Sequence, residues 1–260
     1  PGKSITDAVI EADDLGNVNV SGFYANSGNK AEVTGVFSAA LNDDGTMNAV
    51  LSCDITAETL QDFAAKRESR INEGTQKEDD KKDFESIKVN DIVYNVDGSV
   101  VLYGEQRYVE SFTTSSSSGS RTTYKYYYRD IVVLKLTQQN EIAWLHKLPK
   151  NQMGVNSKRS MSYLNFENEG KHYLFFMDDF TNLKRSFDEA PTRYFDGKKE
   201  FIYLTSYVID NATGKVSKEP ILTGSDVRNS RLDVVELTKS ARLANKDIVM
   251  EVYDGKKNNI

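Results

Sequence analysis

Two adjacent carboxylates, Asp178 and Asp179, combine residue types and a position that could support chemistry. They follow the apolar run 173–177, which predicts a central, buried strand. A carboxylate pair at the end of such a strand could coordinate Ca²⁺ or serve as general acid and base. A turn that ends the strand explains the same pair, and the sequence favours this second interpretation.

A tyrosine-rich segment is the second candidate. Tyr124, Tyr126, Tyr127 and Tyr128 precede Arg129. Because successive side chains of a strand point to opposite faces, Tyr126 and Tyr128 should share one face and Tyr127 should lie on the other. Exposed rings could stack on sugar rings or on a protein partner. Packing of these rings between neighbouring sheets is the favoured alternative.

Basic residues surround the loop that follows Pro149. Lys147, Lys150, Lys158 and Arg159 form a local patch that could receive an anionic ligand, although a solvated loop is the favoured explanation. From these three features we select eight candidate ligand-binding residues, which are Tyr124, Tyr126, Tyr128, Arg129, Lys150, Arg159, Asp178 and Asp179.

Residues that commonly hold metals or attack substrates are scarce. His146 and His172 lie in different predicted strands without ligand spacing, so no metal site is predicted. Cys53 is the one cysteine, and its apolar neighbours predict a buried, inert thiol. Phosphate-loop, dinucleotide and Gly-x-Ser-x-Gly motifs are absent. The sequence therefore predicts no cofactor and assigns no catalytic residue.

Composition describes a protein with a hydrophobic core and a solvated surface. Of the 260 residues, 38% are hydrophobic and 10% are aromatic, which is enough to build a real core. The net charge of −6 gives no support to nucleic-acid binding. No apolar run is long enough to span a membrane as a helix.

The candidate residues must be positioned by β strands, because alternating apolar runs and turn residues recur along the chain. The clearest stretch is 90–152, where Asp97-Gly98 is a turn signal and the serine-rich segment 111–123 predicts a flexible hairpin loop. The predicted strands of this stretch are 92–96, 100–105, 130–136 and 142–148.

Similar groups of strands recur along the chain. Between the first two groups, an amphipathic helix is predicted near 57–71, inside a largely polar insertion at 56–84. The last group has only two strands, so the chain contains about three and a half four-stranded units. The groups lie at about 4–55, 85–152, 158–225 and 231–260.

Four-stranded meanders in series predict an all-β, β-propeller-like array, because one sheet cannot bury both of its faces and stacking sheets buries them against each other. We expect these groups to form a single domain. Gly104, the run 130–136 (Asp-Ile-Val-Val-Leu-Lys-Leu) and the run 142–144 (Ile-Ala-Trp) carry the clearest repeat. This pattern resembles the degenerate propeller repeats of exported proteins from Bacteroidota-type bacteria. The resemblance implies a periplasmic or cell-surface location.

Three and a half units do not close an ordinary propeller. The chain is therefore expected to be a fragment of a longer protein, an open array, or a ring completed by a partner, and the fragment is the favoured explanation.

Three functional hypotheses follow from these features. The first is a non-catalytic binding or assembly module of the bacterial envelope, with a protein or a glycan as its partner. The second is a hydrolase or lyase acting on polysaccharide through Asp178 and Asp179, with tyrosine and arginine support. The third is a purely structural domain of a larger surface protein.

Overall fold

A computed structural model describes residues 2–12, 16–26, 33–55, 86–117, 119–196, 202–223, 234–243, 247–253 and 258–259. The helix predicted near 57–71 and the polar insertion around it lie outside these described residues. Within them the chain is almost entirely β, with seventeen strands and one short 3₁₀ helix, Phe180–Lys184. No helix in these described ranges has the length and apolarity needed to cross a bilayer.

The strands are numbered in chain order. The first eight are β1 (Lys3–Ala12), β2 (Val18–Asn26), β3 (Gly35–Leu41), β4 (Met47–Asp54), β5 (Ile87–Tyr94), β6 (Val100–Ser116), β7 (Gly119–Leu136) and β8 (Ile142–Leu148). The remaining nine are β9 (Gln152–Val155), β10 (Leu164–Asn168), β11 (Lys171–Asp179), β12 (Tyr194–Phe195), β13 (Ile202–Asp210), β14 (Val216–Thr223), β15 (Val234–Arg242), β16 (Ile248–Tyr253) and β17 (Asn258–Asn259).

The chain divides into two compact units. Unit 1 contains residues 1–107, 130–149 and 187–190, and unit 2 contains residues 108–129, 150–186 and 191–260. The long strands β6 and β7 contribute residues to both units.

Unit 1 is built from two consecutive antiparallel meanders. Strands β1 to β4 pair in chain order, and β5 to β8 do the same. Phe23 and Val36 of the first sheet share one apolar core with Ile92, Leu102 and Leu134 of the second. Each sheet therefore buries one face against the other, as the all-β propeller-like prediction requires.

Gly104, the glycine of the repeat, has a packing role in this core. A Cβ at this position would lie 2.9 Å from the ring of Phe23 and 3.0 Å from Ile87. The glycine therefore leaves room for a core aromatic residue of the facing sheet.

Unit 2 repeats the same construction. Strands β10, β11, β13 and β14 form a third antiparallel meander, with β11 and β13 in its centre. Met177 and Leu204 of this sheet pack with Val235 and Leu237 of the three-stranded sheet β15–β17. The prediction of an all-β array of antiparallel meanders is confirmed.

The hairpin of β6 and β7 is longer than the sequence predicts. The segment 111–123 was expected to be a loop, yet β6 continues to Ser116 and β7 starts at Gly119. The hydroxyl oxygens of Thr113 and Thr122 lie 3.0 Å apart across the two strands. Threonine favours strands, and its hydroxyl groups hydrogen-bond across paired strands. This polar segment therefore forms two paired strands instead of a loop.

Candidate functional site

Asp178 lies at the end of β11 in the interior of unit 2, with 1% of its surface exposed. One carboxylate oxygen accepts hydrogen bonds from Asn182 Nδ2 at 2.7 Å and from the Asp179 amide at 2.9 Å. The other oxygen accepts one from Lys218 Nζ at 2.8 Å. Burial raises the pKa of Asp178 above its usual range, and the Lys218 ammonium opposes that shift. Asp178 is thus the hydrogen-bond acceptor at the centre of a buried polar network.

Asp179, the next residue, has a different role. Its side chain caps the 3₁₀ helix by accepting from the Thr181 amide at 3.0 Å and from the Thr181 hydroxyl at 2.7 Å. Asp179 is 2% exposed. These contacts support the interpretation of the pair as the end of a strand. Among the described residues, no group of three or more histidine, cysteine, aspartate or glutamate side chains could hold a metal ion.

The tyrosines alternate between the two faces of β7. The rings of Tyr124 and Tyr126 are 6.5 Å apart, with planes 27° from parallel. Tyr127 stacks instead on Tyr108, at 4.7 Å between ring centroids, and donates a hydrogen bond to Glu110 at 2.9 Å. Burial, followed by the contact with Glu110, raises the pKa of Tyr127 to about 12. Tyr127 is buried and Tyr124 is 45% exposed, so the accessible ring is Tyr124.

The loop after β9 supplies a cation to the Tyr124 face. Tyr126 lies directly opposite Gly154 of β9. A Cβ at Gly154 would lie 2.1 Å from the Ser157 carbonyl oxygen and 2.7 Å from Met161 Sδ, so only glycine lets this loop fold back on the strand. The folded loop places Lys158 Nζ 5.8 Å from the centroid of the Tyr126 ring.

Asp196 holds this loop in place, and sequence reasoning missed it. Its carboxylate accepts hydrogen bonds from the Ser157 hydroxyl at 2.6 Å, the Ser160 hydroxyl at 2.9 Å and the Arg159 amide at 3.1 Å. Asp196 follows β12, which adds in parallel to the edge of β9. The Asp-Gly sequence at this position signals a turn, but it gives no indication of the loop that the aspartate binds.

The other predicted cations are engaged within the protein. Lys150 is 1% exposed and donates to Gln152 Oε1 at 3.0 Å and to the Tyr128 carbonyl at 3.3 Å. Arg129 is 6% exposed and donates to Asn151 Oδ1 at 2.9 Å. Neither cation is presented to a ligand in bulk solvent.

Arg159 and Lys147 are also paired with carboxylates. The Arg159 guanidinium contacts Glu236 Oε1 at 3.0 Å on the surface of unit 2. Lys147 belongs to unit 1, where it is buried and lies 3.7 Å from Asp130. Lys150 and Lys158 each lie 5.8 Å from a tyrosine ring centroid, but Lys150 is buried, so Lys158 is the exposed patch cation beside a tyrosine.

The outer part of the β6–β7 hairpin, residues 108–127, is here called the distal hairpin. It exposes large apolar side chains: Val109 is 56% exposed, Phe112 48% and Tyr124 45%. The period of two along each strand, with the Thr113–Thr122 contact, places Val109 and Tyr124 on one face. The opposite face carries Phe112, whose ring centroid lies 4.7 Å from Lys125 Nζ. Both faces therefore combine exposed apolar surface with a lysine.

The histidines and the cysteine lie in the packed sheets. His146 and His172 are buried, and the His146 ring lies 5.5 Å from the Trp144 ring. Cys53 is a free thiol, half-buried against the core of unit 1.

No model of a protein family matches this chain, and no curated protein matches it. Among solved structures, the apocarotenoid oxygenase of Synechocystis aligns with 82% of the chain at 10% identity and a TM-score of 0.34, and the chain spans 38% of that protein's length. An α-L-arabinofuranosidase from Clostridium thermocellum aligns with 86% of the chain at 12% identity and a TM-score of 0.29, over 55% of its own length. Alignments at this level carry no argument about the function of this chain.

Proposed function

We propose that this chain is a non-catalytic binding module of a bacterial envelope and that its distal hairpin engages a protein partner. The observation that carries the proposal is the exposure of Val109 and Tyr124 on one face of the distal hairpin and of Phe112 on the other. These three side chains belong to neither of the described apolar cores. The envelope location rests only on the resemblance of the repeat.

Grouped apolar side chains on a surface point to an interface. Soluble proteins expose single apolar residues freely, but a group of them marks a binding surface. Tyrosine suits this role because its ring buries a large apolar area while its hydroxyl stays hydrogen-bonded. The ring and hydroxyl of Tyr124 are both available on the distal hairpin.

Charge indicates what the partner surface carries. Arg121 and Lys125 lie on the distal hairpin, and Lys158 lies beside it. The one acidic residue of the distal hairpin, Glu110, accepts the hydrogen bond of Tyr127. This part of an acidic chain is therefore locally basic, and it fits a protein surface on which carboxylates flank an apolar patch.

Backbone groups of the distal hairpin could add to this interface. β5 starts at Ile87, and the Arg107 amide donates to the Ser86 carbonyl at 3.1 Å. Beyond Arg107, β7 is the one described strand that pairs with β6. Among the described strands, none pairs with the outer edge of β6 from Tyr108 to Thr114, and this edge could accept an added strand of a partner.

The test compares a hairpin variant with a matched control. Val109→Ser, Phe112→Ser and Tyr124→Ser are combined in one protein, and Val50→Ser serves as the control because Val50 is equally exposed on β4 of unit 1. Proteins of the source organism retained by the immobilised wild type are identified, purified and titrated individually. At least one should bind wild type and control equally and the hairpin variant at least about tenfold more weakly.

Two outcomes would overturn the proposal. In one, no purified protein binds the wild type. In the other, every protein that binds does so with the same affinity for the hairpin variant.

A glycan is the second candidate ligand for the distal hairpin. The near-parallel rings of Tyr124 and Tyr126, with Lys158 above the latter, favour it. A glycan that stacks on these rings needs Tyr124 but not Phe112, which lies on the opposite face. Glycan binding that is lost in Tyr124→Ser and retained in Phe112→Ser would therefore replace the protein partner with a glycan.

A further inference from the structure

A cleft lined by amide groups and apolar side chains opens in unit 1 where turns of its two sheets meet. Its volume is about 310 Å³, within the range of small-molecule sites. Five amide side chains line it, together with hydroxyl groups and the ring of Tyr94. The amides are those of Asn19, Asn48, Asn95, Gln138 and Asn140.

The amide groups come from turns whose geometry is fixed. Asp97 accepts hydrogen bonds from the Ser99 amide at 2.9 Å and from the Ser99 hydroxyl at 2.5 Å, which locks the turn between β5 and β6. Gln138, in the turn between β7 and β8, lies against Gly98, where a Cβ would come within 3.0 Å of its Nε2. Gly98 has a φ of 79°, so this turn position itself favours glycine.

Several of these amides have hydrogen-bonding capacity to offer. Among the described residues, the side chains of Gln138 and Asn140 make no hydrogen bond to the protein. Asn95 and Asn48 donate through Nδ2, to Ser99 Oγ at 2.9 Å and Asn42 Oδ1 at 2.7 Å, which leaves their carbonyl oxygens as acceptors. Each amide group carries both a donor and an acceptor, so the cleft suits a ligand that has both.

The cleft also contains apolar surface and lacks charge. Ala40, Leu51 and Val100 line it beside Tyr94, and none of its described lining residues is ionisable apart from the Tyr94 phenol. Hydroxyl-bearing edges and an apolar face occur together in a sugar ring. A charged ligand would find no counter-ion in this lining.

A second cavity shares part of this lining. Asn19, Ala40 and Asn48 also line a space of about 460 Å³ that extends to Asn42 and Asp43. A ligand longer than one ring would extend in this direction. The Asp43 carboxylate disfavours an anionic ligand there.

We propose that this cleft of unit 1 binds a neutral saccharide, held by the amide groups and stacked on Tyr94. The site contains no residue of the distal hairpin, so the failure of one proposal would not affect the other. Direct hydrogen bonds to hydroxyl groups would set the orientation of the sugar, and the aromatic ring would contact its apolar face.

The experiment titrates the protein with a panel of neutral disaccharides and with a charged uronic acid disaccharide, followed by protein-detected NMR. The site variant is Asn19→Ala/Gln138→Ala. The matched control is Gln139→Ala, which removes an exposed amide of the same turn that does not line the cleft. A neutral disaccharide should shift amide signals of 94–100 and 137–140, and the site variant should bind about tenfold more weakly than wild type and control.

The dependence of the affinity on salt concentration is an independent test. Because the lining carries no charge, the affinity for the disaccharide should stay the same from low to high sodium chloride. The proposal is overturned if no neutral disaccharide binds, if the charged one binds better, or if the site variant binds like the wild type. Failure of hairpin binding leaves each of these outcomes unaffected.

Discussion

At the scale of single residues, Asp178 shows how burial decides the role of a carboxylate. A carboxylate pair after an apolar strand is compatible with catalysis, with metal binding and with a turn. Inside unit 2, Asn182 and Lys218 each donate a hydrogen bond to a different oxygen of Asp178. The Asp179 carboxylate caps the start of the 3₁₀ helix. A buried ion pair of this kind is costly to break because the remaining charge is neither paired nor solvated by water.

We predict that Lys218→Met destabilises the protein by about 3 to 5 kcal/mol near neutral pH. Without the ammonium, the pKa of the buried Asp178 carboxyl rises further. The loss should therefore shrink as the pH falls and Asp178 becomes protonated. Urea unfolding at neutral and mildly acidic pH measures both effects.

The control for this prediction is Lys215→Met, in the exposed turn that precedes β14. It should change the free energy of unfolding by less than about 0.5 kcal/mol. The double variant Asp178→Asn/Lys218→Met should recover part of the lost stability. Equal stability of Lys218→Met and the control would mean that the buried pair contributes little.

At the scale of elements, the loop between β9 and β10 is positioned by parts that are distant in sequence. Gly154 provides the space, and the Asp196 carboxylate binds the loop from the end of β12. Asn156, at a φ of 52°, links the loop to β7 by accepting from the Tyr124 amide at 2.9 Å. These contacts make the placement of Lys158 a property of the assembled sheet.

Gly154→Ala is predicted to move this loop. The added Cβ would meet the Ser157 carbonyl oxygen, which belongs to backbone and cannot rotate away, so overpacking should cost about 1 to 3 kcal/mol. The amides of Arg159 and Ser160, which donate to Asp196, should exchange with deuterium faster than in the wild type. Val155→Ala, at an exposed neighbouring position, is the control. Unchanged exchange in Gly154→Ala would show that the loop does not depend on this glycine.

At the scale of the whole molecule, the described apolar cores and the proposed binding surface are different parts of the chain. The described core of each unit lies between packed sheets, at residues such as Leu134 in unit 1 and Leu204 in unit 2. The tip of the distal hairpin has exposed side chains on both strands. A two-stranded ribbon adds little stability of its own.

Replacing residues 113–122 with Asn-Gly is therefore predicted to leave the fold intact. Asn-Gly forms the tight turn that a two-residue hairpin loop requires. The melting temperature should stay within a few degrees of the wild type, because a few tenths of a kcal/mol shift it by no more than that. Differential scanning calorimetry measures the change. A cooperative unfolding transition that is lost or strongly lowered would show that the tip supports a core.

Sequence reasoning succeeded where a local pattern has one physical explanation. The apolar runs in 100–105 and 130–136 predict strands that the fold contains, and Asp97-Gly98 predicts the turn between β5 and β6. It failed for 111–123, because serine and threonine serve loops and strands alike. The partner strand decides between them. The role of Asp196 also could not be predicted, because it binds a loop at residues 157–160 that is distant from it in the sequence.

For this protein, the sequence by itself determined an all-β chain of antiparallel meanders, since side-chain period and turn residues act over neighbouring positions. Tertiary structure alone decided which polar residues are available. Burial converted Asp178, Arg129 and Lys150 into internal contacts, while sheet packing left Tyr124 exposed. It also brought amides from separate turns into one cleft. Availability depends on what covers a residue, and the covering residues are distant in the chain.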